Sequence, residues 1–91
     1  MKFYSFDEIR ERGSCIQFVT TVLGLELNRG GRCQATWRGG DGFNVSVKEH
    51  KWYDHKTKSG GGIIELCEVA KFPGFTQGAQ EFLGDWLNLT P

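Results

Sequence analysis

The residues from Trp52 to Leu66 read Trp-Tyr-Asp-His-Lys-Thr-Lys-Ser-Gly-Gly-Gly-Ile-Ile-Glu-Leu, and they force a change of backbone period. Trp52 and Tyr53 favour an extended strand, Lys56 to Ser59 is polar and turn-like, and Ile63, Ile64, Leu66, Cys67 and Ala70 then recur at helical spacing. A strand must therefore feed a helix through three consecutive glycines, Gly60, Gly61 and Gly62. A helix start leaves its first N–H groups unpaired and carries partial positive charge, so glycines there, flanked by Lys56 and Lys58, can cradle a phosphate oxygen. The same glycines also serve a plainer end, a tight turn and close helix packing, and on these residues alone that is the simpler account.

Upstream, Ser5 and Glu8 have capping-box spacing and Tyr4 stands where it can staple against Ile9. Gly13 ends this first helix. Ser14 caps a second, with Ile16, Val19 and Leu23 on one side, Phe18 and Val22 beside them, and Gly24 as its stop. From Leu25 the pattern alternates: Leu25 and Leu27 oppose Glu26 and Asn28, and Gly30-Gly31 is a hairpin signal leading into a strand from Arg32 to Trp37. Cys33, Ala35 and Trp37 share one face of that strand, and Phe43, Val45 and Val47 share one face of the next, beyond a flexible loop from Arg38 to Gly42. The opposite faces collect Arg32, Gln34, Thr36, Asn44, Ser46 and Lys48 into one polar platform.

Downstream, a helix from about Gly62 to Lys71 is broken by Pro73-Gly74, and Thr76 caps a last helix whose apolar stripe is Ala79, Phe82, Leu83, Trp86 and Leu87. Gly78 and Gly84 cost that helix about 1 kcal/mol each relative to alanine, so packing must stabilise it. The expected fold class is α+β: a small antiparallel sheet of three or four strands packed with N- and C-terminal helices, as one domain over residues 1–91.

A chain of 91 residues holds one core of useful size, and its twelve aromatic residues argue against disorder. No apolar run approaches a bilayer span, and Lys2, Asp7, Glu8 and Arg10 occupy the place where a signal peptide is apolar; a cytoplasmic protein without a membrane partner is expected. Cys15, Cys33 and Cys67 are an odd number with no close pair, which offers neither a disulfide framework nor a CxxC metal knuckle. Formal net charge is zero, yet residues 28–58 carry seven basic and three acidic side chains, a balance of +4 that the flanks cancel. An anionic partner would meet that basic middle, and a solvated polar face is the plainer alternative. No Ser/His/Asp set, paired catalytic carboxylates or complete phosphate loop can be assembled, so no catalytic residue and no cofactor is assigned.

The order of these features resembles the N-terminal zinc-ribbon domain of bacterial DNA primases and of the primase-like proteins of phages and plasmids. The resemblance covers roughly Ile16 to Leu87 and is carried by Cys33, the strand Asn44 to Val47, the aromatic pair Trp52-Tyr53, and the run Trp-Tyr-Asp-His-x-Thr-x-x-Gly-Gly leading into Ile63-Ile64-Glu65-Leu66. It is particularly similar to the metal-free versions in mobile-element primases. Of the four ligand positions the resemblance implies, the first falls on Cys33, the second near Thr36, the third on His55 and the fourth on Lys58, with about two extra residues in the Arg38 to Gly42 loop. Structural zinc wants four nitrogen or sulfur ligands, which Thr and Lys do not supply. A degenerate, metal-free zinc ribbon is therefore expected, its zinc replaced by hydrophobic packing.

The resemblance implies a non-catalytic module that reads a single-stranded DNA template weakly, beside a catalytic primase domain in the same or another chain. In that reading Arg29, Arg32, Arg38, Lys48, Lys51, Lys56 and Lys58 meet phosphates, helped by Gly60, Gly61 and Gly62. Whichever of Trp37, Trp52 and Tyr53 is exposed stacks on bases, and His55 either faces a phosphate or sits in a polar loop. The alternative is a small phage or mobile-element protein that kept the fold and binds and inhibits a host protein complex.

Overall fold

Local signals set the helix ends. In the computed structural model, which describes residues 3–91, helix α1 spans Phe6–Arg12; Ser5 Oγ accepts the Glu8 N–H at 3.2 Å, and the Gly13 N–H closes on Ile9 O at 2.8 Å. Lys2, one of the N-terminal charges read above, lies outside the described residues. Ser14 caps the short helix α2, Cys15–Gln17, by accepting the Gln17 N–H at 3.1 Å. α2 continues as a π-helical turn over Phe18–Val22. The widening has a chemical cause. Thr20 and Thr21 donate their hydroxyls to Ile16 O and Gln17 O, and the Leu23 N–H reaches Phe18 O, five residues back. Of the expected Ile16, Val19 and Leu23, Val19 is fully buried, together with Cys15 and Phe18, whereas Ile16 and Leu23 pack at the margin with Val22. Gly24 follows at φ +66°, as a helix stop requires.

Four short strands form one antiparallel sheet in chain order: β1 (Arg32–Cys33), β2 (Val45–Val47), β3 (Trp52–Asp54) and β4 (Ser59–Gly61). The expected strand at Leu25 to Asn28 does not form. Asn28 Oδ1 accepts the N–H groups of Gly30 and Arg32, which gives the hairpin turn but spends donors that a further strand would need. β1 also stops at Cys33 and not Trp37, because Thr36–Arg38 winds into a 3-10 turn closed by Gly39 at φ +70°. Phe43 lies outside β2 and is 45% exposed, so the predicted Phe43, Val45, Val47 face reduces to the two valines. The glycine run is not a loop at the helix mouth: Gly60 and Gly61 lie in β4, and only Gly62 caps the helix that follows.

Helix α3 (Ile63–Lys71) packs against β4, and helix α4 (Thr76–Trp86) and α1 pack against α3 and against each other. Phe75, not Thr76, stands at the α4 cap, and the Thr76 hydroxyl instead donates to Glu68 on α3 at 3.1 Å. Cys33, Val45, Val47 and Trp52 from the sheet meet Ile63, Ile64, Leu66, Cys67 and Leu83 in one continuous cluster. Phe18 fills its middle, edge-on to Phe82 and Trp86 at 6.3 and 5.8 Å between ring centres. The α+β class stands: the described residues form four α-helices and a four-stranded antiparallel sheet. No helix of the described residues is long and apolar enough to cross a membrane.

Candidate nucleic-acid interface

Alternation along each strand sends one set of side chains into the core and the other outward, and register lines the outward set up. Arg32, Ser46, Tyr53 and Gly60 are consecutive partners across the four strands, so they form one row on the outer face. Lys48 lies two residues beyond Ser46, and Lys51 and His55 flank Tyr53 at the same spacing; all three are exposed. The Tyr53 ring is 41% exposed, and His55 meets it edge-on at 5.0 Å. Gly60 is needed beneath that ring: a Cβ there would stand 3.0 Å from Tyr53 Cδ1 and 2.4 Å from Trp52 O.

Over these residues lies an open hollow of about 750 Å³, lined by Ser46, Lys48, Lys51, Tyr53 and His55 together with His50, Trp52, Gly60 and Gly61. No carboxylate is among them. An anion approaching this face therefore meets two ammonium groups, two imidazoles, a hydroxyl and an accessible ring. His50, in the turn between β2 and β3, is exposed and is part of the lining. Sequence reasoning also missed the contact between Ser46 Oγ and His55 Nε2, 2.7 Å apart. Alternation puts Ser46 on the polar face, but only the β2–β3 register brings His55 diagonally beside it.

The remaining candidates scatter. Arg29 is exposed at the hairpin turn, and Lys56 and Lys58 are exposed in the turn between β3 and β4. Arg38 is committed elsewhere: its Nε and Nη2 donate to the two carboxylate oxygens of Asp54 at 2.8 and 3.0 Å. Asp54 is 2% exposed and also accepts the N–H groups of Lys56 and Thr57 at 3.0 and 3.3 Å. Burial works to raise the Asp54 pKa, but the Arg38 hydrogen bonds, the two backbone donors and the guanidinium charge outweigh it and hold the carboxyl below its ordinary value. Trp52 is also lost to the interface, being 5% exposed with its indole N–H on Gly62 O at 2.9 Å and Trp37 edge-on at 6.5 Å. Of the three aromatic residues considered for stacking, Tyr53 is the one presented outward. The helix mouth is likewise occupied, because Glu65 Oε1 accepts the Gly62 N–H at 2.8 Å and puts a carboxylate where a phosphate was expected.

The ligand positions do not assemble into a metal centre. Cys33 is fully buried and in register with Val45 on the inner face, whereas His55 is exposed on the outer one. Among the described residues no three His, Cys, Asp or Glu side chains are grouped to hold a metal ion. The 3-10 turn after Cys33 and the β3–β4 turn are instead joined by the Arg38–Asp54 pair. No protein-family model matches the chain, and no curated protein and no solved structure is significantly similar to it.

Proposed function

We propose that this chain is a non-catalytic module that binds single-stranded nucleic acid weakly on the outer face of its sheet, in the manner of a degenerate primase zinc ribbon, in the cytoplasm and beside a separate catalytic domain. One observation carries this: the hollow around Tyr53 holds Lys48, Lys51, His50 and His55 and no acidic side chain, in a chain whose formal net charge is zero. Lys48, Lys51 and Arg32 reach phosphates, and Tyr53 stacks on one base. A duplex keeps its bases paired and stacked, so a ring standing on a short sheet reaches a base only in a single strand. Three free, buried cysteines suit a reducing compartment.

The chemistry on this face supports a binding role over a catalytic one. A serine–histidine contact is the start of a nucleophile–base pair, but the other partner of His55 is the Tyr53 ring, with no carboxylate to orient the imidazole. Ser46 and His55 then serve as hydrogen-bonding groups at the rim of the stacking ring, where the edge of a base would lie.

The test is titration of labelled single-stranded DNA at two salt concentrations. With about three phosphate contacts, log K should fall against log salt with a slope near −2. Tyr53→Ala should cost about 1–3 kcal/mol of binding, and the double variant Lys48→Glu/Lys51→Glu should abolish it. Binding insensitive to both salt and charge reversal would refute the proposal, as would no binding at low salt.

A further inference from the structure

The free edge of the sheet carries a second surface, of opposite charge. β4 is the last strand. The Lys48 N–H donates to Lys51 O at 2.8 Å and the His55 N–H to Asn44 O at 2.9 Å, which sets the alternation of the β2–β3 ladder. Ser46 and Tyr53, midway between, are the next hydrogen-bonded pair, so the Tyr53 N–H and C=O face β2. Trp52 and Asp54 then face β4, where their register partners are Gly61 and Ser59. Gly60, opposite Tyr53, consequently turns its own N–H and C=O away from the sheet, and it is exposed. Neither Gly60 nor Gly61 has a side chain to bar an approaching strand, and β4 contains no lysine, proline or charged residue of the kind that protects an edge.

Beside this edge runs a groove of about 240 Å³, walled by Glu65, Glu68 and Val69 of α3 along with Trp52, Ser59 and Gly60. No basic side chain lines it, and Val69 is 38% exposed. We infer that this edge receives an extended basic segment of a partner protein, which adds as a fifth strand against Gly60, presents lysine or arginine to Glu65 and Glu68, and rests an apolar side chain on Val69. Charge selects this occupant. A second copy pairing through β4 would bring its own Glu65 and Glu68 against the same two residues, and a nucleic acid would meet carboxylates. The backbone contribution is small, because the Gly62 N–H is already taken by Glu65 and the Lys58 N–H by Asp54 O; Gly60 alone offers a donor and an acceptor. Selectivity thus comes from the α3 wall. The groove shares Trp52 and Gly60 with the outer hollow, but its α3 wall of Glu65, Glu68 and Val69 is separate, and the inference does not rest on the function proposed for the outer face.

A short peptide of alternating lysine and valine, titrated into isotope-labelled protein, tests the inference through the amide resonances of Gly60 and Gly61. The Gly60 amide should shift and gain protection from hydrogen exchange. The same peptide N-methylated at alternate residues, and a glutamate–valine counterpart, should leave it in place. Glu68→Gln, which retains an acceptor for Thr76, should weaken binding about two- to fivefold. Absence of a Gly60 shift at millimolar peptide, or an equal shift from the N-methylated or the acidic peptide, would overturn the inference. A Gly60 shift driven by protein concentration alone would overturn it in favour of a second copy.

Discussion

Asp54 joins two parts of the chain that no short-range pattern connects. It holds Arg38, sixteen residues away, and at the same time caps the β3–β4 turn through the Lys56 and Thr57 N–H groups. Asp54→Ala should lower the melting temperature by about 5–15 °C near neutral pH. The pH dependence has a definite sign. Because the folded carboxyl titrates below its ordinary value, its stabilisation is complete above the unfolded-state pKa of about 3.9 and is lost as pH falls through the lower folded-state value. Thermal melts of both proteins should therefore converge on acidification; a gap that widens in acid would contradict this role. The cysteines give a second prediction at the same scale. Burial pushes Cys15 and Cys67 up to about 12 and Cys33 to about 11, with nearby Glu49 and Glu65 adding to the effect at Cys15 and Asp54 at Cys33. At pH 8 none should react with a thiol-specific disulfide reagent until the protein is unfolded, and rapid labelling of the native protein would show that a thiol is accessible.

Helix α4 shows why its glycines are tolerated. A Cβ at Gly84 would lie 2.0 Å from Tyr4 Cδ2, so the absent side chain is the seat of the Tyr4 ring, whose carbonyl accepts from Gln80 and whose hydroxyl donates to Asp85. Gly84→Ala should destabilise by about 1–3 kcal/mol through overpacking, despite the better intrinsic helix propensity of alanine; equilibrium denaturation measures it, and a stabilised variant would contradict the packing. Helix ends were legible because their causes are local: Ser5, Ser14, Gly13, Gly24 and Pro73-Gly74 act within a turn. Strand ends were not. β1 is two residues long: the side chain of Asn28 holds its start, and where it stops depends on the partner strand and on the 3-10 turn at Thr36–Arg38. Gly60 and Gly61 have poor strand propensity, and what makes them a strand is pairing with β3, with the Tyr53 ring lying over Gly60. The candidate site divides the same way. Period 2 alone put Arg32, Ser46 and Lys48 on one face, while the withdrawal of Arg38 and Trp52 depended on Asp54 and Gly62, which only the assembled fold brings near them.

For the molecule as a whole, hydrophobic packing and the Arg38–Asp54 pair stand where the resemblance expected a zinc site. A chelator should leave the melting temperature unchanged, and zinc bound stoichiometrically in elemental analysis, with unfolding on its removal, would contradict a metal-free core. The assembled fold also separates charge that the sequence balances: lysines and histidines cover the sheet face, and Glu65 and Glu68 line the groove at its edge. The central claim is that a single strand lies on the sheet face. The most direct measurement is a chemical-shift map of the isotope-labelled protein titrated with a short single-stranded oligonucleotide. Perturbations concentrated at Arg32, Ser46, Lys48, Lys51, Tyr53, His55 and Gly60, and diminishing with added salt, are the predicted result; shifts confined to α3 and α4, or none at all, would contradict it.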